Sequence, residues 1–277
     1  MNKDFTLTAS DGEKIFITAY FNDKYVANNA VIYVHGFKGF KDWGFIPYLA
    51  NYLVEKGFFV ITFNFSHNGI GENRFEFREL EKFAKNTFSR EVRELNEIVD
   101  AVDSDIFEFG KFNKIGLLGH SRGGAISILT AFQNNKVNAV AVWASISKLD
   151  RYSKRQKEEW EKKEFFEVLN TRTNQIMKLH ISILRDIEDN YQESLNIEKA
   201  IKNLKRPLLI VHGDQDLAVP IEEAEQIYSW SDKSQTEFFK IFGTGHTFDA
   251  AHPFFCSNRK LESVLEKTEI FFKHNLN

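Results

Sequence analysis

The chain has 277 residues, 43% of them hydrophobic and 27% charged, which is the balance of a soluble globular protein. Its 36 basic and 39 acidic side chains leave a net charge of −3, which argues against a nucleic-acid partner because phosphate binding needs a basic face. One cysteine, Cys256, excludes an internal disulfide. No segment approaches the roughly 20 apolar residues that cross a bilayer, and the N-terminus lacks a signal-peptide pattern. We therefore expect a cytoplasmic protein without a membrane partner.

Predicted strands and helices alternate along most of the chain. In chain order we predict strands over 5–10 and 14–21, a strand over 30–36, a helix over 43–56, a strand over 58–65, a long loop, a helix over 87–103, a strand over 113–120, a helix over 121–134, a strand over 137–145, a strand over 206–213, a helix near 220–231, a strand over 236–242 and a final helix over 262–275. This alternation predicts an α/β fold with a mostly parallel central sheet of about eight strands and helices on both faces.

One long segment interrupts the alternation. About sixty residues separate the strand that ends near Trp143 from the one that starts at Pro207, far more than one crossover needs. We interpret 147–195 as a small cap inserted over the carboxyl edge of the sheet, with 1–146 and 196–277 forming the core. The alternative is that this segment only extends the helical layer.

Three elements are predicted inside this segment. Residues 153–164 are polar and predict a surface helix, whereas 165–173 are predicted to be extended. The next apolar residues have the spacing of one helical stripe and predict a third element, a helix; they are Ile176, Leu179, Ile183 and Ile187.

A glycine-rich turn, "GHSRGG", joins the strand over 113–120 to the helix that follows it. Serine becomes a nucleophile when a neighbouring base removes its proton. A sharp strand–turn–helix connection exposes such a serine and requires small neighbours, which Gly119 and Gly123 provide. Ser121 is therefore the candidate nucleophile. The alternative is that Ser121 only caps the helix, a position that serine favours.

Candidates for the base and for the orienting acid occur in later predicted loops. His246 follows a predicted strand and a glycine turn in "FGTGHTF", and its rival is His252, which precedes Pro253. The acid that would hold the imidazole comes from "HGDQDLAVP", where Asp214 and Asp216 are equally placed.

Two backbone N–H groups are needed to stabilise the oxyanion of the tetrahedral intermediate. One donor is predicted at Arg122, the residue after the candidate nucleophile. The other is predicted at Phe37 in the loop "VHGFKGF", where Gly36 and Gly39 permit an unusual backbone path.

These motifs resemble those of the α/β-hydrolase superfamily over nearly the whole chain. "HGFKG", "GHSRGG", "HGDQDLAVP" and "GTGHTF" occur in the family's order and at similar spacings. The resemblance implies that Asp216, in its D-x-x-V-P context, is the acid of a triad with Ser121 and His246. The "HGFKGFK" loop and the inserted cap look like bacterial carboxylesterases of the cinnamoyl/feruloyl-esterase and acyl-peptidase-like branch. The segment "FNFSHNGIGEN" departs from that family's usual D-x-R-G-x-G-x-S pattern.

The resemblance and the residues together predict a serine carboxylesterase that acts on a small-molecule ester without a metal or organic cofactor. The alternatives are a thioesterase, an acyl-peptide hydrolase or a non-catalytic ligand-binding member of the fold. The sequence predicts neither the natural substrate nor the oligomeric state.

Overall fold

The computed structural model describes residues 1–24 and 27–276. Its strands are β1 (Asn2–Thr8), β2 (Lys14–Tyr20), β3 (Asn29–Val34), β4 (Phe59–Asn64), β5 (Lys114–His120), β6 (Val137–Trp143), β7 (Phe165–Asn170), β8 (Gln175–His180), β9 (Leu208–Gly213) and β10 (Thr236–Ile241). Its helices are α1 (Ile46–Glu55), α2 (Leu80–Ala84), α3 (Phe88–Asp103), α4 (Arg122–Gln133), α5 (Lys154–Lys163), α6 (Ser182–Asn190), α7 (Ile197–Lys202), α8 (Ile221–Trp230) and α9 (Arg259–Leu276). No helix in the described ranges is long and apolar enough to cross a membrane.

Eight strands form one sheet in the order β1-β2-β4-β3-β5-β6-β9-β10. Strand β2 runs antiparallel to β1 and β4, and the pairs from β4 to β10 are parallel. The carboxyl ends of β3, β5, β9 and β10 therefore meet at one edge, which is where α/β sheets place their ligands. The predicted mostly parallel sheet of about eight strands is confirmed.

The sheet is buried on both faces by two apolar clusters. Helices α3, α4 and α8 contribute to one cluster, and α1 and α9 contribute to the other. Neighbouring residues of β5 show this division, because Leu117 belongs to the first cluster and Leu118 to the second. A strand buried in this way needs apolar side chains without alternation, as its sequence has.

The segment between β6 and β9 contains a two-stranded antiparallel hairpin. The sequence predicts its first strand but not its second. Residues 165–170 are extended as predicted, but the predicted helical stripe that begins at Ile176 is wrong over its first part. Residues 175–180 form β8 and pair with β7, and the helix begins only at Ser182. Ile176 is 62% exposed while Met177 is buried, so neighbouring side chains here point to opposite faces, as they do in a strand.

The hairpin and α6 have different neighbours in the core. Strand β8 packs against α2, whereas α6 packs against α3. Helix α2 lies within the long predicted loop, and α7 lies beyond the inserted segment and packs on α4. Both helices are short and have no predicted counterpart, since five and six residues are too few for a clear helical period.

Candidate active site

Ser121 occupies the sharp turn between β5 and α4. Its backbone has φ +59° and ψ −122°, a conformation that non-glycine residues rarely adopt. Ser121 precedes α4 at the helix-cap position, yet its side chain makes no capping hydrogen bond. Helix capping therefore does not explain the strain of this turn, which is the conformation expected where a serine is presented at the carboxyl edge of a sheet.

The glycines around Ser121 are required by close backbone contacts. A Cβ atom on Gly119 would lie 2.3 Å from the carbonyl oxygen of Gly123, and one on Gly123 would lie 2.2 Å from the carbonyl oxygen of Val34. Either contact is far inside van der Waals distance, so any side chain at these positions would force β5, α4 and β3 apart. The sequence argument for small neighbours thus has a direct steric basis.

His246 and Asp216 are joined by a short hydrogen bond. Nδ1 of His246 lies 2.7 Å from Oδ2 of Asp216. Because a carboxylate only accepts, this contact makes Nδ1 the donor and leaves Nε2 as the nitrogen able to accept a proton. Among the described residues no hydrogen bond joins Ser121 Oγ to His246, and such bonds are often long before substrate binds.

The Asp216 carboxylate is buried and surrounded by donors. Its Oδ1 accepts hydrogen bonds from the backbone N–H groups of Ala218 and Val219, each at 2.9 Å. Burial alone would raise the pKa of Asp216, but hydrogen bonds from His212 and His246 lower it well below its usual value. Asp216 is therefore an anion at neutral pH, as an imidazolium partner requires.

The two rival residues are engaged elsewhere. Oδ1 of Asp214 accepts a hydrogen bond from the backbone N–H of Gly243 at 2.7 Å. Nδ1 of His252 accepts one from Gly44 at 2.9 Å, and its ring stacks on Trp43. Of the residues left open by the sequence, the structure brings together Asp216 and His246.

Two further histidines support the site without predicted roles. His120 Nε2 lies 2.9 Å from the backbone oxygen of His246 and therefore donates to it. His35 Nδ1 likewise donates to the backbone oxygen of Gly36 at 3.0 Å. Burial lowers the pKa of His120 to about 3 and that of His35 to about 4, so both rings are neutral at neutral pH. Their role is to hold the backbone of the loops through these hydrogen bonds.

The two predicted oxyanion donors flank Ser121. Arg122 is the first residue of α4, so its backbone N–H has no acceptor within the helix. The peptide after Gly36 leads to Phe37, and a Cβ atom on Gly36 would lie 2.9 Å from Cβ of Ser121. The Phe37 backbone is thus held close to the candidate nucleophile.

The side chains of these two donors also contact each other. The Arg122 guanidinium lies 4.4 Å from the ring centroid of Phe37 and 4.6 Å from that of Phe88. It is buried and pairs with Glu91 at 3.3 Å. Burial raises the pKa of Glu91, an effect that the charge of Arg122 opposes. This buried pair fixes the start of α4 behind the predicted oxyanion donors.

Glu91 has no role in the sequence prediction, although the sequence contains a signal for it. It falls three residues after Phe88 on the apolar stripe of α3, which also contains Val92 and Leu95. A carboxylate on an apolar stripe needs a buried partner. The partner could not be identified from spacing, because Arg122 is 31 residues away in the chain.

A cavity of about 400 Å³ opens above Ser121 and His246. Its wall is mainly apolar, and its side chains come from the core and from the inserted segment; they include Phe37, Phe88, Ile146, Leu149, Tyr152, Val168, Leu179 and Val219. An apolar cavity with a few convergent polar groups is the usual form of a small-molecule site.

Comparison with known proteins relates the chain to one protein family and to several solved structures. The model of the prolyl oligopeptidase family matches residues 43–277. No curated protein sequence has a significant match. Three similar structures, each under 25% identical, share the fold.

These structures come from three organisms. Est1E from Butyrivibrio proteoclasticus, solved with ferulic acid bound, is 19% identical over 98% of each chain with a TM-score of 0.72. A putative hydrolase from Agrobacterium vitis S4 is 15% identical over 98% of this chain and 99% of that chain, with a TM-score of 0.74. The esterase PF2001 from Pyrococcus furiosus is 18% identical over 100% of this chain and 92% of that chain, with a TM-score of 0.68.

Proposed function

The chain belongs to the prolyl oligopeptidase family and is a serine hydrolase with the α/β-hydrolase fold, and from this premise we propose that it hydrolyses carboxylic esters of small molecules. The observation that supports the proposal most is the 2.7 Å contact between His246 and Asp216 beside the strained turn at Ser121. A nucleophile, a base and an orienting acid in this arrangement are the requirements of acyl transfer.

The proposed reaction has two halves. Ser121 Oγ attacks the ester carbonyl carbon while its proton moves to Nε2 of His246, and Asp216 stabilises the resulting imidazolium. The backbone N–H groups of Phe37 and Arg122 stabilise the oxyanion, each contributing about 3 kcal/mol. The imidazolium then protonates the leaving alcohol, which departs from the acyl-enzyme. Water then attacks the acyl carbon while His246 takes its proton. The bond between this carbon and Ser121 Oγ breaks, the acid leaves, and the imidazolium returns the proton to Oγ. None of these steps requires a metal or an organic cofactor.

We also propose that residues 147–195 act as a cap over this site. Val168 and Leu179 of the hairpin line the cavity above Ser121. Because the core supplies the reacting groups and the hairpin supplies part of the wall, the cap would select among acyl or alcohol groups. The apolar wall fits an uncharged or aromatic chain, and the ferulic acid bound to Est1E makes feruloyl esters a reasonable member of a test panel. A cytoplasmic location stays a prediction from the sequence.

A second candidate function is cleavage of acyl-peptides, which the match to the prolyl oligopeptidase family favours. A panel of substrates separates it from esterase activity. We expect turnover of 4-nitrophenyl acetate, 4-nitrophenyl butyrate and methyl ferulate, and no release of nitroaniline from acetyl-alanyl 4-nitroanilide. An amide is harder to cleave than an ester because its nitrogen must be protonated before the amine leaves. Amide turnover by the purified protein would therefore replace the esterase proposal with a peptidase one. A butyryl thioester in the same panel tests the thioesterase alternative.

A further inference from the structure

A second cavity of about 220 Å³ adjoins the first beside the candidate nucleophile. Both cavities are lined by Phe37, Lys38, Ser121 and His246. The second continues past His246 to Trp43 of the core and to the turn between β7 and β8. A substrate whose scissile bond lies at Ser121 can therefore place a group in each cavity.

Two cations, Lys38 and Arg172, line this second cavity, and among the described residues no aspartate or glutamate lines either cavity. The remaining cations of the larger cavity are neutralised, since Arg122 pairs with Glu91 and Arg151 pairs with Glu223. Over residues 1–24 and 27–276, neither Lys38 nor Arg172 forms an ion pair with a carboxylate.

Protein contacts hold these two like charges near each other. Lys38 Nζ donates to the backbone oxygen of Leu169 at 3.1 Å, and Arg172 donates to the backbone oxygen of Lys38. The Arg172 guanidinium also lies 5.5 Å from the ring centroid of Trp43. Burial, and next the charge of Arg172, lower the pKa of Lys38. Two cations that repel each other in a cleft, with no counter-charge, create a favourable place for an anion.

We propose that Lys38 and Arg172 bind a carboxylate on the substrate, so that the enzyme's preferred substrates are esters with a free carboxylate a few bonds from the scissile group. This inference rests on the proposed esterase activity. A guanidinium can hold a carboxylate through two parallel hydrogen bonds, and the lysine adds a point charge beside it. The carboxylate belongs to the acyl chain or to the leaving group, depending on which of the two parts occupies the second cavity.

Two matched pairs of esters test the proposal and distinguish these orientations. The acyl pair is 4-nitrophenyl hydrogen adipate against 4-nitrophenyl hexanoate, and the leaving-group pair is 3-acetoxybenzoate against 3-acetoxybenzamide. In one pair we expect wild-type kcat/KM to be at least about tenfold higher for the anionic ester. Arg172→Met should reduce this ratio at least about tenfold, mainly by raising KM for the anionic ester, while Arg172→Lys should retain part of it. Added salt should lower the wild-type ratio because it screens the exposed guanidinium.

Arg155→Met is the matched control, since Arg155 is an exposed cation of the same inserted segment, on α5 and outside both cavities. It should leave the ratio unchanged. The proposal is wrong if wild type shows no anionic preference in either pair. It is also wrong if Arg172→Met slows neutral and anionic esters equally, because Arg172 would then only position the loop at Lys38. Ser121-dependent hydrolysis of neutral esters without anionic preference overturns this inference alone, whereas loss of Ser121 dependence for every ester overturns the proposed function as well.

Discussion

Replacing Ser121 by alanine is expected to lower kcat/KM for 4-nitrophenyl butyrate by about 10⁴-fold or more, the usual loss when a triad nucleophile is removed. The variant keeps the backbone of the turn and the oxyanion donors but has no oxygen to form the acyl-enzyme. Initial rates, together with the thermal unfolding midpoint, measure the loss and show that the variant is folded.

Ser127→Ala is the matched control for this variant. Ser127 lies in the same helix, α4, and its buried hydroxyl donates to the backbone oxygen of Gly123 at 2.7 Å. It does not line the cavity above Ser121, so we expect activity within about tenfold of wild type. A Ser121→Ala protein that kept more than a few per cent of wild-type activity would require a different nucleophile.

Asp216→Asn is expected to lower kcat by roughly 10³- to 10⁴-fold with little change in KM. The asparagine amide would donate to Nδ1 of His246, and the proton would then reside on Nε2, where it blocks removal of the proton from Ser121. The steady-state constants for 4-nitrophenyl butyrate measure this effect directly.

Asp214→Asn provides the comparison for this prediction, because both carboxylates follow β9 and only one contacts the imidazole. Asp214 accepts from the backbone N–H of Gly243, so its amide variant should alter stability more than kcat. Equal losses in the two variants, or a larger one at Asp214, would show that the orienting acid is misassigned.

Much of the fold can be predicted from the sequence because its strands are buried on both faces. The run that forms β5 is apolar without alternation, and Leu117 and Leu118 pack into opposite clusters as such a run requires. The hairpin is different. Ile176 and Leu179 are three residues apart, which fits a helix, while Met177 and Leu179 are two apart, which fits a strand. Pairing with β7 makes this stretch a strand, and such pairing cannot be predicted from a local pattern of apolar residues.

The candidate site shows the same limit at the level of single residues. The need for glycines beside Ser121 can be predicted from the sequence, because the close approach of three backbones leaves no room for a side chain. The choice between Asp214 and Asp216 cannot be predicted from residue types, because both follow the same strand. The geometry of the turn determines which carboxylate contacts His246. Arg172 has no sequence signal either: it lies 134 residues from Lys38 in the chain, and only the hairpin turn brings the two together.

Covalent labelling tests the central claim, that Ser121 is the nucleophile of a serine esterase, most directly. A 4-nitrophenyl alkylphosphonate transfers its phosphonyl group to an activated serine, with loss of 4-nitrophenolate, and the adduct mimics the tetrahedral intermediate. Mass spectrometry of the inactivated protein should show one adduct per chain, on the peptide that contains Ser121, and none in Ser121→Ala. An adduct on another residue that accompanies loss of activity, or full esterase activity after exposure with no adduct, would contradict the account.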